Sequence, residues 1–374
     1  MLMSKSLPAA GVIAAAIAAL LPSLAQAQTA TAVQICECLV TDLSTDGQSA
    51  TGQMYGTYET FHWNASTGLT LLGRNMATEI GIPPPGLPAI SGDGKKVAAT
   101  VMNDANTYGT QAVWTAEKGW TVLKPLPADG GVMDTDDGSV WGMSRDGKVI
   151  TGLYWRPNQR GGSAHGSVWK AKVGMVGMPT AGGSARIDDA NKDGNVLAGW
   201  EEDPNTGSRL PAVWVNGERT WLDLNYGEAE AVNGDGDILV GQAPDPETGI
   251  PAAARWKWNG KKWETKILGI LPNSDWGGMA YANALSDDGK LVGGLARTTF
   301  TPATSGFLWT KATGLVLAAD FLKTHGYSSR GYNLTNVIAI TPKGDKLVIV
   351  EVMKRSPYTQ RSMLITLPDA AIAP

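Results

Sequence analysis

Short apolar runs recur between residues 39 and 366, and each is cut by a polar interruption centred on glycine. The stretch Ala89-Ile90-Ser91-Gly92-Asp93-Gly94-Lys95-Lys96-Val97-Ala98-Ala99 is representative. Apolar residues precede Ser91, Asp93-Gly94 offers the left-handed geometry of a tight reversal, and a β-prone run resumes at Val97. About twenty residues on come Ala112-Val113-Trp114, a second glycine turn at Glu117-Lys118-Gly119, and the run Trp120-Thr121-Val122-Leu123. One unit therefore predicts four strands, A to D. No stretch keeps the spacing of an amphipathic helix, and Asp320 to His325 is expected to make one helical turn at most.

The unit repeats seven times. Its first turns are Thr45-Asp46-Gly47, Gly92-Asp93-Gly94, Arg145-Asp146-Gly147, Lys192-Asp193-Gly194, Gly234-Asp235-Gly236, Asp287-Asp288-Gly289 and the degenerate Pro342-Lys343-Gly344, whose glycines are 42 to 55 residues apart. Its second marks are Trp63, Trp114, Trp169, Trp214, Trp256 and Trp309, with Ile365 in the last unit. A four-stranded unit of this period cannot bury both faces alone and must stack on its neighbours around an axis. The expectation is an all-β, seven-bladed β-propeller of four-stranded blades. The seventh unit supplies strands near Val337 to Thr341, Lys346 to Val352 and Ser362 to Thr366, then reaches Pro368 without a D strand. Thr31 to Cys36 is β-prone and precedes the first unit, so it is predicted to enter the last blade and close the ring, removing exposed strand edges.

Units of the form Ser-x-Asp-Gly-x-x-Val-x-Gly, followed by Ala-x-x-Trp and a glycine turn, resemble the HAF-type extracellular repeats of bacterial exported proteins over roughly residues 39 to 366. The resemblance implies an exported propeller and carries no catalytic residues with it.

A formal net charge of -4 offers no electrostatic footprint for nucleic acid. Lys5, the apolar run from Ala9 to Leu21, Pro22 and Ala25-Gln26-Ala27 read as a signal peptide over residues 1 to 27, leaving one domain over residues 28 to 374. No later run reaches the roughly 18 apolar residues of a membrane span. A periplasmic or secreted monomer is expected. Cys36 and Cys38, spaced by two on an extended segment, would share one face, where either a local disulfide or two buried thiols fit.

In a propeller the A–B and C–D turns share one face, and the B–C and D–A connections share the other. Every Asp-Gly turn then lies on the first face. Asp189-Ala190-Asn191-Lys192-Asp193-Gly194 copies the opening of a calcium loop, but the twelfth position is Trp200, and Asp-Gly recurs where the other carboxylates are missing. Hairpin chemistry explains it better. No cofactor is expected, with calcium the one retained as an alternative. Asp134 to Gly138 is a second acidic cluster, read as a turn.

Aromatic, arginine and carboxylate residues crowd the second face, which suits a glycan or protein ligand needing stacking and hydrogen bonds together. Ligand contacts are expected from Trp155, Trp200, Trp276, Tyr154, Glu228 and Tyr332, with Trp141 as a further platform. A carbohydrate-active enzyme is the alternative. A lyase would draw on His165, His325 or Tyr281 as base, with Arg156 or Arg330 to neutralise a uronate, and a glycosidase would draw on Glu201 with Glu202 or Glu228. Arg186, Glu228, Tyr281 and Tyr332 fall in segments read as D–A loops; Tyr154, Trp155 and Trp200 fall in segments read as B–C loops. No nucleophile elbow, zinc-protease motif, P-loop or dinucleotide fingerprint is present.

Overall fold

The hairpin that opens each unit is fixed by its own side chains. In the first, Gly47 adopts a φ of 63° and donates its N–H to Ser44 O at 2.9 Å. Ser44 Oγ donates to Asp46 Oδ1 (2.7 Å) and accepts from Ser49 N (2.9 Å), while Asp46 Oδ1 also accepts from Gln48 N (2.9 Å). This is a type I reversal closed by a left-handed glycine. Ser91, Ser144 and Ser286 repeat the arrangement with Asp93, Asp146 and Asp288. In the fourth and fifth units Asn191 and Asn233 bind the returning strand with their own side-chain oxygens.

In the computed structural model, which describes residues 29–81, 83–106, 108–124, 137–156, 163–355 and 359–372, these hairpins open seven four-stranded antiparallel sheets. Blade 1 runs Cys38–Leu43, Ser49–Met54, Thr60–Asn64 and Gly68–Leu71 from the axis outward. The inner strands of blades 2 to 7 are Ala89–Ile90, Gly138–Met143, Ala185–Ala190, Glu228–Val232, Met279–Leu285 and Tyr332–Ile340. Blade 7 adds Lys346–Met353 and Gln360–Thr366 and takes Thr31–Cys36 as its outermost strand, as expected. The predicted signal peptide lies outside the described residues. Cys36 and Cys38 are joined in a disulfide where the chain leaves blade 7 and enters blade 1.

The core lies between blades. Val40, Ala50, Phe61 and Trp63 of blade 1 pack on Ala339, Val348 and Leu364 of blade 7, and similar clusters fill the other interfaces. Each Trp of the repeat, and Ile365 in its place, stands opposite an apolar second-strand residue: Ala50, Val97, Ile150, Leu197, Leu239, Val292 and Leu347. The third strand thus carries a bulky wedge that no lone blade could bury.

Two short helices interrupt the β pattern, and a third, Asp369–Ile372, follows the last strand. Met76–Ile80, capped by Asn75, lies in the connection from blade 1 to blade 2, and Ala318–Thr324 packs Phe321 and Leu322 beneath blades 6 and 7. The first is too short to leave a periodic signal in the sequence. The second exceeds the single turn expected at Asp320.

Candidate functional site

The first-strand turns form a closed hydrogen-bonded collar. Thr45 N donates to Gly92 O (2.9 Å), Gly92 N to Arg145 O (2.8 Å), Asp146 N to Lys192 O (3.2 Å), Lys192 N to Gly234 O (3.3 Å), Gly234 N to Asp287 Oδ1 (2.7 Å) and Asp287 N to Pro342 O (2.8 Å). Lys346 Nζ completes the circle at Asp46 O. Arg145 also makes a two-pronged bond to Asp287, 2.7 Å on each prong. Blades 3 and 6 are as far apart as two blades of seven can be, so this pair crosses the axis and bars the channel at the collar end.

Above the collar, the inner strands are irregular in a regular way. In six blades one extra residue is inserted opposite the second strand: Thr41, Trp141, Asp188, Glu230, Asn283 and Ile338. All six line a central cavity of about 390 Å³. A bulge re-aims a side chain at the cost of local pairing, and here it aims one per blade at the axis. The glycine of Val-x-Gly makes room for it. A Cβ on Gly52, Gly152, Gly199, Gly241 or Gly294 would lie 1.9 to 2.1 Å from the inner-strand carbonyl opposite.

The wall is chemically uneven. Blades 7, 1 and 3 present Ile338, Thr41 and Trp141, whereas blades 4 to 6 present Asp188, Glu230 and Asn283. Two positions earlier on the same strands stand Arg186, Glu228 and Tyr281. Arg186 lies over the Trp141 ring at 3.7 Å from its centroid, bonds Asp188 through Nε, and reaches Glu228 Oε2 at 3.3 Å and Glu230 Oε2 at 3.8 Å. Arg209 Nη1 holds the other oxygen of Glu228 at 2.7 Å. Burial alone would lower the Arg186 pKa, but Asp188, Glu230 and Glu228 hold it above its ordinary value. Burial pushes Asp188 well above the carboxylate range and also raises Glu230.

The Tyr281 hydroxyl is shared between two carboxyl groups of the cluster. Its oxygen lies 2.5 Å from Glu228 Oε2 and 2.8 Å from Glu230 Oε2. Burial, then Glu230 and Glu228, keep the phenol protonated by raising its pKa well above normal. A phenol has one O–H to donate, so a proton on a carboxyl would satisfy the second contact, and burial raises Glu230, which makes that contact.

Other sequence-predicted residues lie elsewhere. Tyr281 and Glu228 are inner-strand residues rather than loop residues, as are Arg186 and Tyr332, because the strands extend farther from the collar than their apolar pattern indicates. For the same reason Tyr154, Trp155 and Trp200 are second-strand residues. Tyr154 is buried between blades 2 and 3, and Trp155, next along, is 47% exposed. Arg156 ends the strand Val149–Arg156, and half-buried His165 stands opposite Tyr154. Trp200 is buried under Arg209, 4.2 Å from its ring centroid. Glu201 is 0% exposed and accepts from Trp221 Nε1 (3.0 Å) and Arg219 Nη1 (3.1 Å). His325 ends the helix Ala318–Thr324, its Nδ1 bonded to Phe321 O at 2.8 Å. Tyr332 carries Arg361 at 3.7 Å over its ring, and Arg330 is exposed.

Glu201, His325 and Tyr332 are thus engaged within their own blades or loops. Asp188 and Glu230 were missed as site residues because they lie inside strands. Their signal is a polar residue four positions before the first residue of the Asp-Gly turn, Asp188 before Lys192 and Glu230 before Gly234.

The calcium-like stretch is spent on backbone: Asp189 accepts from Ala190 N (2.7 Å) and Val232 N (2.9 Å), and Asn191 Oδ1 from Asn195 N and Val196 N (3.0 Å each). Of Asp134 to Gly138, only Asp137 and Gly138 belong to the described residues.

On the face opposite the collar, Trp276 is 83% exposed and stacks on Phe300 with ring centroids 6.2 Å apart and planes 12° from parallel. Tyr55, Tyr58, Tyr108, Trp155 and Tyr226 are exposed on the same face, while Trp258 is the one exposed aromatic at a collar-side turn among the described residues.

No family model matches the chain, and no curated protein is detectably similar in sequence. Solved structures are. The β-propeller domain of the Trilobed protease from Pyrococcus furiosus is 12% identical, with a TM-score of 0.53 over 88% of this chain and 95% of that one. The Cps50 (Swd1) propeller domain of Myceliophteria thermophila is 9% identical, with a TM-score of 0.54 over 90% and 98%. TolB from Acinetobacter baumannii is 15% identical at a TM-score of 0.44; 71% of this chain covers 62% of TolB, less than two thirds of its length. The likeness is one of fold. The Pyrococcus domain is described as having an open velcro topology, whereas here Thr31–Cys36 closes the last blade.

Proposed function

We propose that the protein is an exported propeller of the HAF-repeat type, cleaved at about residue 28, which binds a glycan on the face opposite the collar. The observation that carries the reading is the segregation of exposed aromatics: Tyr55, Tyr58, Tyr108, Trp155, Tyr226, Trp276 and Phe300 share that face. Exposed aromatic planes suit the apolar faces of sugar rings, and nearby groups such as Arg297, 5.1 Å over Phe300, supply hydrogen bonds. No helix among the described residues is long and apolar enough to cross a membrane. A monomer in the periplasm or the medium fits this reading.

Electrophoresis through gels containing soluble neutral or uronic polysaccharides tests it. Retardation by at least one polymer, relieved in Trp276→Ala and Phe300→Ala, supports the reading. Unaltered mobility in all of them, or retardation that both variants retain, counts against it. The enzyme alternative draws support from Arg186, Tyr281 and Glu228 meeting in the channel. A phenol held protonated is a poor base, however, so no ultraviolet absorbance from an unsaturated product is expected to appear.

A further inference from the structure

We propose that the channel cavity is a second binding site, which takes a small organic cation, an amine or guanidinium with an apolar body, against Asp188 and Glu230. The proposal is independent of the aromatic face. It starts from charge: among the described residues, Asp188, Glu228 and Glu230 are ion-paired with Arg186 and Arg209 alone, which leaves one negative charge unmatched when all three acids ionise, while toward the collar Asp42, Asp189 and Arg145 border the same cavity. Without a ligand the unmatched charge is cancelled by a proton on a carboxyl at the Tyr281 contacts.

A second, separate observation points to a missing donor. The Asp188 side chain is 2% exposed and lines the cavity, and its Oδ2 has no hydrogen-bond partner among the described residues. A buried carboxylate oxygen without a donor is costly, and a ligand N–H reaching it would remove that cost. Glu230 lines the same wall, and Asn283 beside it adds a neutral polar group.

The rest of the cavity selects the ligand's body. Leu43, Trp141, Leu295 and Ile338 line it, so an inorganic ion would leave apolar surface facing water. An anion would meet the unmatched negative charge, and a neutral sugar would leave the proton in place. A monovalent organic cation matches both halves, since its charge replaces the proton and its hydrocarbon covers the apolar wall. Binding is then an exchange: one cation enters, and one carboxyl proton leaves to the solvent.

Titration calorimetry on the full chain near neutral pH, with n-butylguanidinium, n-butylamine, n-butanol and calcium chloride in buffers of different protonation enthalpy, tests this. The expected result is saturable binding of at least one butyl cation with about one proton released, and affinity rising about tenfold per pH unit while the proton is held. Glu230→Gln should weaken binding at least tenfold, a loss of about 1.4 kcal/mol or more. Should that variant not fold, Asp188→Asn decides the matter, together with proton release measured about one pH unit above the range in which Asp42 and Asp189, which border the same cavity, hold their protons. Absence of binding by both cations, an equal response to butanol, no proton release, or tighter binding of calcium would each overturn the proposal.

Discussion

Gly241→Ala perturbs the feature on which the channel depends. The added Cβ would lie 2.0 Å from the Glu228 carbonyl oxygen and 3.0 Å from both the Glu228 carbonyl carbon and Ala229 Cα, where ordinary contact begins near 3.4 Å. Both strands are fixed by their ladders and by neighbouring blades, so the inner strand would have to retreat by more than about 1 Å. Overpacking of this kind costs about 1–3 kcal/mol. A weakened ladder bond adds about 1 kcal/mol, and the stiffer unfolded chain returns about 0.4–1 kcal/mol. The net expectation is about 2–3 kcal/mol of lost stability. Gly56→Ala is the control, because Gly56 has a φ of 83° but open space at its Cβ, and its loss should be about 1 kcal/mol. Urea unfolding should show a lowered midpoint with an unchanged slope. A Gly241→Ala midpoint equal to wild type, or no lower than that of Gly56→Ala, would refute the reasoning about the bulge.

Stability should also depend on pH through two buried acids: burial raises Asp42 to about 6 and Asp189 to about 7, from 3.8. Because the folded state holds these protons more tightly than the unfolded one, their contribution is complete below about pH 4 and is lost as pH rises to about 7; urea titrations should record a fall of several kcal/mol over that window. Removing residues 28 to 37 takes away the outermost strand of blade 7 and the disulfide, and should lower the melting temperature sharply; an unchanged melt would exclude strand exchange as the closure.

Much of the fold is legible in the sequence because each unit repeats the same local chemistry. Ser44-x-Asp46-Gly47 folds into a hairpin from its own atoms, and Trp63 marks a third strand that recurs at a constant place. The missing D strand of the seventh unit points directly to Thr31–Cys36. The channel is less legible, because a bulge shifts side-chain direction by one residue and breaks the period-two pattern that strand reading relies on. Asp188 and Asp189 are adjacent and both border the cavity, yet one is bonded to Arg186 and the other bonds backbone in blades 4 and 5. Glu201 looked like a candidate acid because its partners, Arg219 and Trp221, come from the outer strand of its own blade. The Val-x-Gly glycines were visible in the repeat, but the carbonyl that needs their missing side chain lies on another strand.

The claim on which the account of the channel rests is the proton held between Tyr281 and Glu230. Carbon-detected NMR of glutamate carboxyls across a pH titration measures it directly. One resonance, absent in Glu230→Gln, should remain in its protonated position after the exposed glutamates have titrated, and should move with the Tyr281→Phe substitution. If the Glu230 carboxyl ionises together with the exposed glutamates, the cluster holds no such proton and the account is wrong.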